Sequence, residues 1–135
     1  MEYRTTLTTC TYCGCGCGLY IETIDGKAVR TLPSKTSPVN EGKLCIKGWY
    51  VHEFVQRPDR LTTPLVRKGG ALEPASWDEA LGLAARELTR IRDTHGADSL
   101  GFLTSAKCTN EDNYIFQKLA RAVVGTNNVD HCARL

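Results

Sequence analysis

The spacing of hydrophobic and polar positions changes near residue 63 of this 135-residue chain and divides it into two unequal parts. The first, residues 1–63, is rich in glycine and threonine and holds only short apolar runs. Leu19 to Ile24 and Ala28 to Leu32 read as strands, and Asp25-Gly26 between them favours a tight hairpin. A loop with Pro33 and Pro38 follows, then a short helix expected from Gly48 to Val55, ended by Arg57-Pro58-Asp59-Arg60. Thr63-Pro64 reads as the linker into the second part, residues 64–135.

There the pattern becomes helix, strand, helix. Ser76-Trp77-Asp78-Glu79 forms a capping box, a serine N-cap with glutamate three residues on. Trp77, Leu81, Ala84, Leu88 and Ile91 fall on one helical face, with Trp77 expected in the core, and His95-Gly96 ends the run. Ser99 to Thr104 suits a buried parallel strand. Asn110 or Thr109 can cap a second helix with Ile115, Phe116, Leu119, Ala120 and Val123 inward, stopped by Gly125. Residues 127–135 would begin the next strand or loop. The fold class expected is α/β, α+β overall: a small β-rich domain, then an α/β layer of one and a half units. Such a layer leaves sheet edges and apolar faces uncovered, so self-association is expected.

Chemistry concentrates in the first part. Cys10, Cys13, Cys17 and Cys45 are spaced C-x2-C-x3-C-x27-C. Three thiolates on one tight loop can clasp three corners of a cubane while a distant fourth closes it. Gly14, Gly16 and Gly18 leave little bulk between the ligands and let the backbone bend closely around a cluster. Zinc would prefer two short Cys-x2-Cys knuckles, and Cys45 stands alone. The spacing favours a [4Fe–4S] cluster, with zinc in a structural domain or a disulfide staple as alternatives. Cys15, between the ligands, is a thiol able to compete for an iron corner.

Seven cysteines is an odd number, and residues 1–9 contain no signal-peptide pattern. No apolar run approaches a membrane span. These features point to a cytoplasmic protein. Seventeen basic against 15 acidic residues give no basic stripe, so nucleic acid is not expected as a partner. His52 and His95 read as helix-end or surface groups, and Cys108 as structural.

The motif from Cys10 to Gly18 resembles the opening of molybdopterin oxidoreductases of the formate dehydrogenase type. So do Gly42-Lys43-Leu44-Cys45-Ile46-Lys47-Gly48, Arg60-Leu61-Thr62-Thr63-Pro64-Leu65, and Ser76-Trp77-Asp78-Glu79-Ala80. The stretch from Ala120 to Arg134 is similar to that subgroup in particular, and the likeness runs in order along the chain. It implies a [4Fe–4S] domain over residues 1–63, with Cys10, Cys13, Cys17 and Cys45 as ligands, and the beginning of a molybdopterin-binding α/β domain over residues 64–135. Lys47 would lie between cluster and pterin on the electron path, while His131, Cys132 and Arg134 would line the pterin. Molybdopterin guanine dinucleotide with molybdenum or tungsten would be held only in a complete enzyme. There the metal centre would oxidise formate to carbon dioxide and the cluster would carry electrons toward accepting subunits. The partners implied are the remainder of the catalytic subunit and those electron-accepting subunits.

No catalytic residue is expected in this chain, which by itself should be inactive. In the resembling family the next residue after such a run is a cysteine or selenocysteine bound to the metal, and here the run ends at Leu135. Selenocysteine is encoded by UGA, ordinarily a stop. The expectation is therefore the part of a selenocysteine-containing formate dehydrogenase that precedes this codon, against a genuine short subunit. A stand-alone iron–sulfur electron-transfer or assembly module is the other function class.

Overall fold

A three-stranded antiparallel sheet in the order β1-β2-β3 occupies the beginning of the chain: β1 Tyr3–Thr9, β2 Gly18–Ile24 and β3 Lys27–Pro33. The structure, a computed structural model, describes residues 1–132. The expected turn is present, with Asp25 at φ 48° and Gly26 at φ 79°. Positive φ at both central residues gives the hairpin turn whose twist matches right-handed strands. β1 was not expected. All seven of its residues are exposed, so it has no buried alternation to betray it. Its threonines and tyrosine still favour extended backbone.

By internal packing the described residues form two units. One comprises Met1–Arg60 and Ser105–Asn113, the other Leu61–Thr104 and Tyr114–Cys132. In the first, Cys10, Leu19 and Val51 make a small core, with Tyr12, Cys17, Ile21 and Leu44 packed around it. The helix expected from Gly48 to Val55 is two short pieces, α1 Ile46–Trp49 and α2 Val51–Phe54. Tyr50, at φ −110° and ψ 15°, interrupts them. Gly48 is buried, and a side chain there would press on Leu44.

The second unit holds the hairpin β4 Leu65–Lys68 and β5 Ala71–Pro74, turned by Gly69-Gly70 at φ 56° and 93°. This hairpin was also not expected, although Gly-Gly between two strand-like runs is a usable sign. Helix α3, Trp77–His95, starts where the capping box predicts: Ser76 Oγ accepts the Glu79 N–H at 3.1 Å. The Glu79 carboxylate turns instead to Lys68 Nζ, 2.6 Å away. The apolar face of α3 is not buried as expected, and Trp77 is 66% exposed. Periodicity defines an apolar stripe, but burial needs a second layer to receive it.

The strand expected at Ser99 to Thr104 begins later. Ala97–Ser99 is a 3₁₀ turn, with Ser99 Oγ bonded to Gly96 O at 2.7 Å, and β6 is Phe102–Ser105. A serine hydroxyl that bonds the nearby backbone competes with strand pairing. Strand β6 pairs with β7, Val129–Cys132. Phe102 N donates to Asn128 O and Thr104 Oγ1 to Asp130 O, so the pairing advances in the same sense on both strands and they run parallel.

Between them, α4 Asn110–Lys118 widens into a π turn over Leu119–Val124 and ends at left-handed Gly125. Phe102, Ala120 and Val124 form this unit's core. The inward set expected for the second helix is only partly inward. Ala120 is buried and Leu119 half-buried, while Ile115, Phe116 and Val123 are exposed. Thr126, almost fully buried, donates to Asp98 Oδ1 at 2.7 Å and accepts the Asn128 N–H, fixing the loop into β7.

Candidate functional site

The loop carrying Cys10, Cys13 and Cys17 is the connection of the β1–β2 hairpin. The ladder between those strands ends at Thr9 opposite Gly18, and the Cys10 N–H then donates to Cys17 O at 2.8 Å. The neck of the loop is thus held by the sheet, and after Thr11 and Tyr12 its interior is all cysteine and glycine. Gly16, at φ 71°, takes the left-handed turn that a side chain would oppose. Asn110 Nδ2 donates to Gly14 O at 2.9 Å and ties down the loop's tip. Thr109, rather than Asn110, caps α4: its hydroxyl accepts the Asp112 N–H while Asp112 returns a bond to the Thr109 N–H.

Cys45 arrives from the other side, just before α1. Cys13, Cys15, Cys17 and Cys45 share a cavity of about 620 Å³ with Asn40 and Lys47. Cys10 is not in that wall. It is buried with Leu19 and Val51, within electrostatic reach of Cys17. The Cys17 thiol donates to Cys15 Sγ at 3.5 Å. Asn40, buried, reaches both cysteine-bearing segments. Its Oδ1 accepts the Gly18 N–H at 2.8 Å, and its Nδ2 donates to Gly18 O at 3.1 Å and Lys43 O at 2.8 Å. Sequence reading missed Asn40 and the loop bond of Asn110. An asparagine in a turn-rich segment has no pattern that reveals a long-range partner.

The two sides of the cavity differ electrically. Burial pushes the Cys17 thiol up to about 11, helped by its bond to Cys15 and by the neighbouring Cys15, Cys10 and Cys13. Cys45 is held below its ordinary value, chiefly by the Gly48 N–H, with help from the Lys47 N–H and ammonium and against some desolvation. Cys17, whose thiol is pushed up by burial beside other cysteines, is a donor that lacks a positive partner, and bound iron would supply one. Among the described residues no three Cys, His, Asp or Glu side chains are grouped closely enough to hold one metal ion. A cubane takes each thiolate at a separate corner. Cys13, Cys17 and Cys45, spread around one cavity, fit that need, while Cys10 lies outside its wall.

Lys47 also lines a neighbouring cavity of about 450 Å³, with Tyr12, Tyr50, Phe54 and Arg57. Its ammonium stands 5.3 Å from the centre of the Tyr12 ring, within cation–π range. His131 is exposed and Cys132 half-buried, both on β7 in the second unit. Arg134 lies outside the described residues. His52 Nδ1 is 2.8 Å from the buried Thr31 hydroxyl, a bond that seats α2 beside the sheet. Among the described residues no helix is long and apolar enough to cross a membrane.

Residues 3–57 match the molybdopterin oxidoreductase Fe4S4 domain and residues 60–135 match molybdopterin oxidoreductase. The chain belongs to the molybdopterin oxidoreductase family and carries its Fe4S4 domain. It is 58% identical over all 135 residues to F420-dependent formate dehydrogenase 1 subunit alpha of Methanococcus maripaludis, covering 19% of that protein. It is 47% identical over the same length to F420-dependent formate dehydrogenase subunit alpha of Methanocaldococcus jannaschii, again 19% of the relative. The chain thus spans about a fifth of the length of these relatives. Acetylene hydratase from Pelobacter acetylenicus has a similar fold, with TM-score 0.71 at 24% identity over 93% of this chain and 18% of that one.

Proposed function

We propose that this chain is the cluster-bearing part of a formate dehydrogenase catalytic subunit, with residues 1–63 as its [4Fe–4S] domain and residues 64–135 beginning the pterin-binding domain. The observation that carries this reading is a cavity where cysteines from two separate segments meet beside Lys47, in a chain similar from end to end to formate dehydrogenase alpha subunits. Cys10, Cys13, Cys17 and Cys45 would hold the cluster. When bound, the cluster supplies a one-electron carrier, and a molybdenum or tungsten pterin centre supplies the two-electron chemistry at formate.

The residues of this chain prepare that transfer. The hairpin neck and the Asn110 bond hold the three-cysteine loop in shape, which limits the rearrangement needed when charge moves. Lys47 lines both cavities, and its positive charge would favour the reduced form of a cluster held there. His131, Cys132 and Arg134 are assigned to the pterin side. In the complete enzyme the electrons would pass to accepting subunits of the same assembly. Thiolates must stay reduced to ligate iron, which is the ground for placing the protein in the cytoplasm.

Anaerobic purification with iron and sulfide analysis and EPR tests the reading. About four irons per chain and a signal on reduction are expected for one cubane. One zinc with sulfur ligation and no iron would refute it.

A further inference from the structure

We propose that Asn40 is a positioning residue for the cluster: one buried side-chain amide sets the separation of Cys17 and Cys45. The inference rests on the reading above that both cysteines are ligands. Asn40 is 8% exposed and lines their cavity. Gly18 directly follows Cys17, and Lys43 precedes Cys45 by two residues. The amide accepts from the Gly18 N–H and donates to Gly18 O, as a neighbouring strand would, and its other hydrogen goes to Lys43 O. A single planar group therefore holds two segments that the sequence separates widely.

The side chain is not needed merely to close its own loop. Lys43 N–H donates to Asn40 O, Gly42 N–H to Ser34 O and Glu41 N–H to Ser37 O, all through backbone. What the amide adds is the reach across to Gly18. The chemistry is specific: aspartate keeps the acceptor but loses both donations and turns a carboxylate toward two carbonyls. Alanine loses all three bonds. A cluster whose fourth thiolate is held loosely would lose the iron at that corner first, as Fe²⁺, leaving a reduced three-iron cluster that a one-electron oxidant makes EPR-active.

The test uses the full chain, reconstituted anaerobically with iron and sulfide, as wild type, Asn40→Asp, Asn40→Ala and Thr31→Val. Thr31 is as buried but lies in the sheet and bonds His52, so its variant controls for general loss of packing. We expect both Asn40 variants to retain about tenfold less four-iron cluster after gel filtration, the usual size of an orienting-partner effect. After treatment with ferricyanide as the one-electron oxidant, their residual iron should give the EPR signal of an oxidised three-iron cluster, while Thr31→Val keeps the wild-type spectrum. Should Asn40→Ala fail to fold, the isosteric Asn40→Asp decides. Four irons per chain with a wild-type reduced spectrum in the folded Asn40 variants would overturn the inference, even if they melt earlier. Wild type that takes up no iron would instead sink the cluster reading, and this inference with it.

Discussion

Replacing Gly18 by alanine puts one carbon into the tightest place beside the cysteine loop. A Cβ there would stand 2.7 Å from Ser37 Cβ, 2.9 Å from Ser37 Oγ and 3.5 Å from Ser34 Cβ. The first two distances lie well inside ordinary van der Waals contact. Neither partner yields easily. Gly18 is held through both its N–H and its C=O by Asn40, and its C=O also accepts the Ser34 N–H at 3.0 Å. Ser37 Cβ moves only with its backbone, whose C=O accepts the Glu41 N–H at 3.0 Å. Overpacking of this kind costs about 1–3 kcal/mol. Removing a glycine from the unfolded chain returns roughly 0.4–1 kcal/mol, since Gly18 does not sit at positive φ. The net loss expected is about 1–2 kcal/mol, a factor of roughly 5–30 in the folded-to-unfolded ratio. Urea titration measures it, with Trp77 replaced by Phe so that Trp49 emission reports on the first unit. Ser37→Gly in the Gly18→Ala background removes the clashing atoms and should recover most of the loss, which a double-mutant cycle reads as coupling. A Gly18→Ala chain as stable as its parent would refute the reasoning, as would a double variant no better than the single one.

Other outcomes follow from the same geometry. Cys45→Ser should lose the iron that Cys15→Ser keeps, measured by iron content and by absorbance after reconstitution; the reverse order would make Cys15 a ligand. Phe102, 6% exposed and packed edge-to-face on Phe116 at 5.5 Å, should cost about 3–5 kcal/mol as Phe102→Ala, seen as lost amide protection in the second unit. Leu81 and Ile115 are at least 60% exposed, so sedimentation should reveal concentration-dependent self-association that Leu81→Lys with Ile115→Lys relieves. A monodisperse monomer throughout would contradict that expectation.

What could be read without coordinates was local. The Asp25-Gly26 turn, the Ser76 cap and the end of the long helix at Gly96 each depend on a few neighbouring residues, and each appears where its residues predict. The cysteine spacing is local in the same sense, because three thiols on one short loop can be seen in the sequence alone. The tertiary structure decided what distant residues do to one another. It made the three-cysteine loop a hairpin connection by adding β1, a strand whose exposed residues carry no buried rhythm. It gave Asn40 and Asn110 their partners across 22 and 96 positions. It also left Trp77 in solvent, since a helical stripe is buried only when another layer packs on it. Periodicity and spacing report what a segment can offer, and only the folded chain determines which surface or donor is there to accept it.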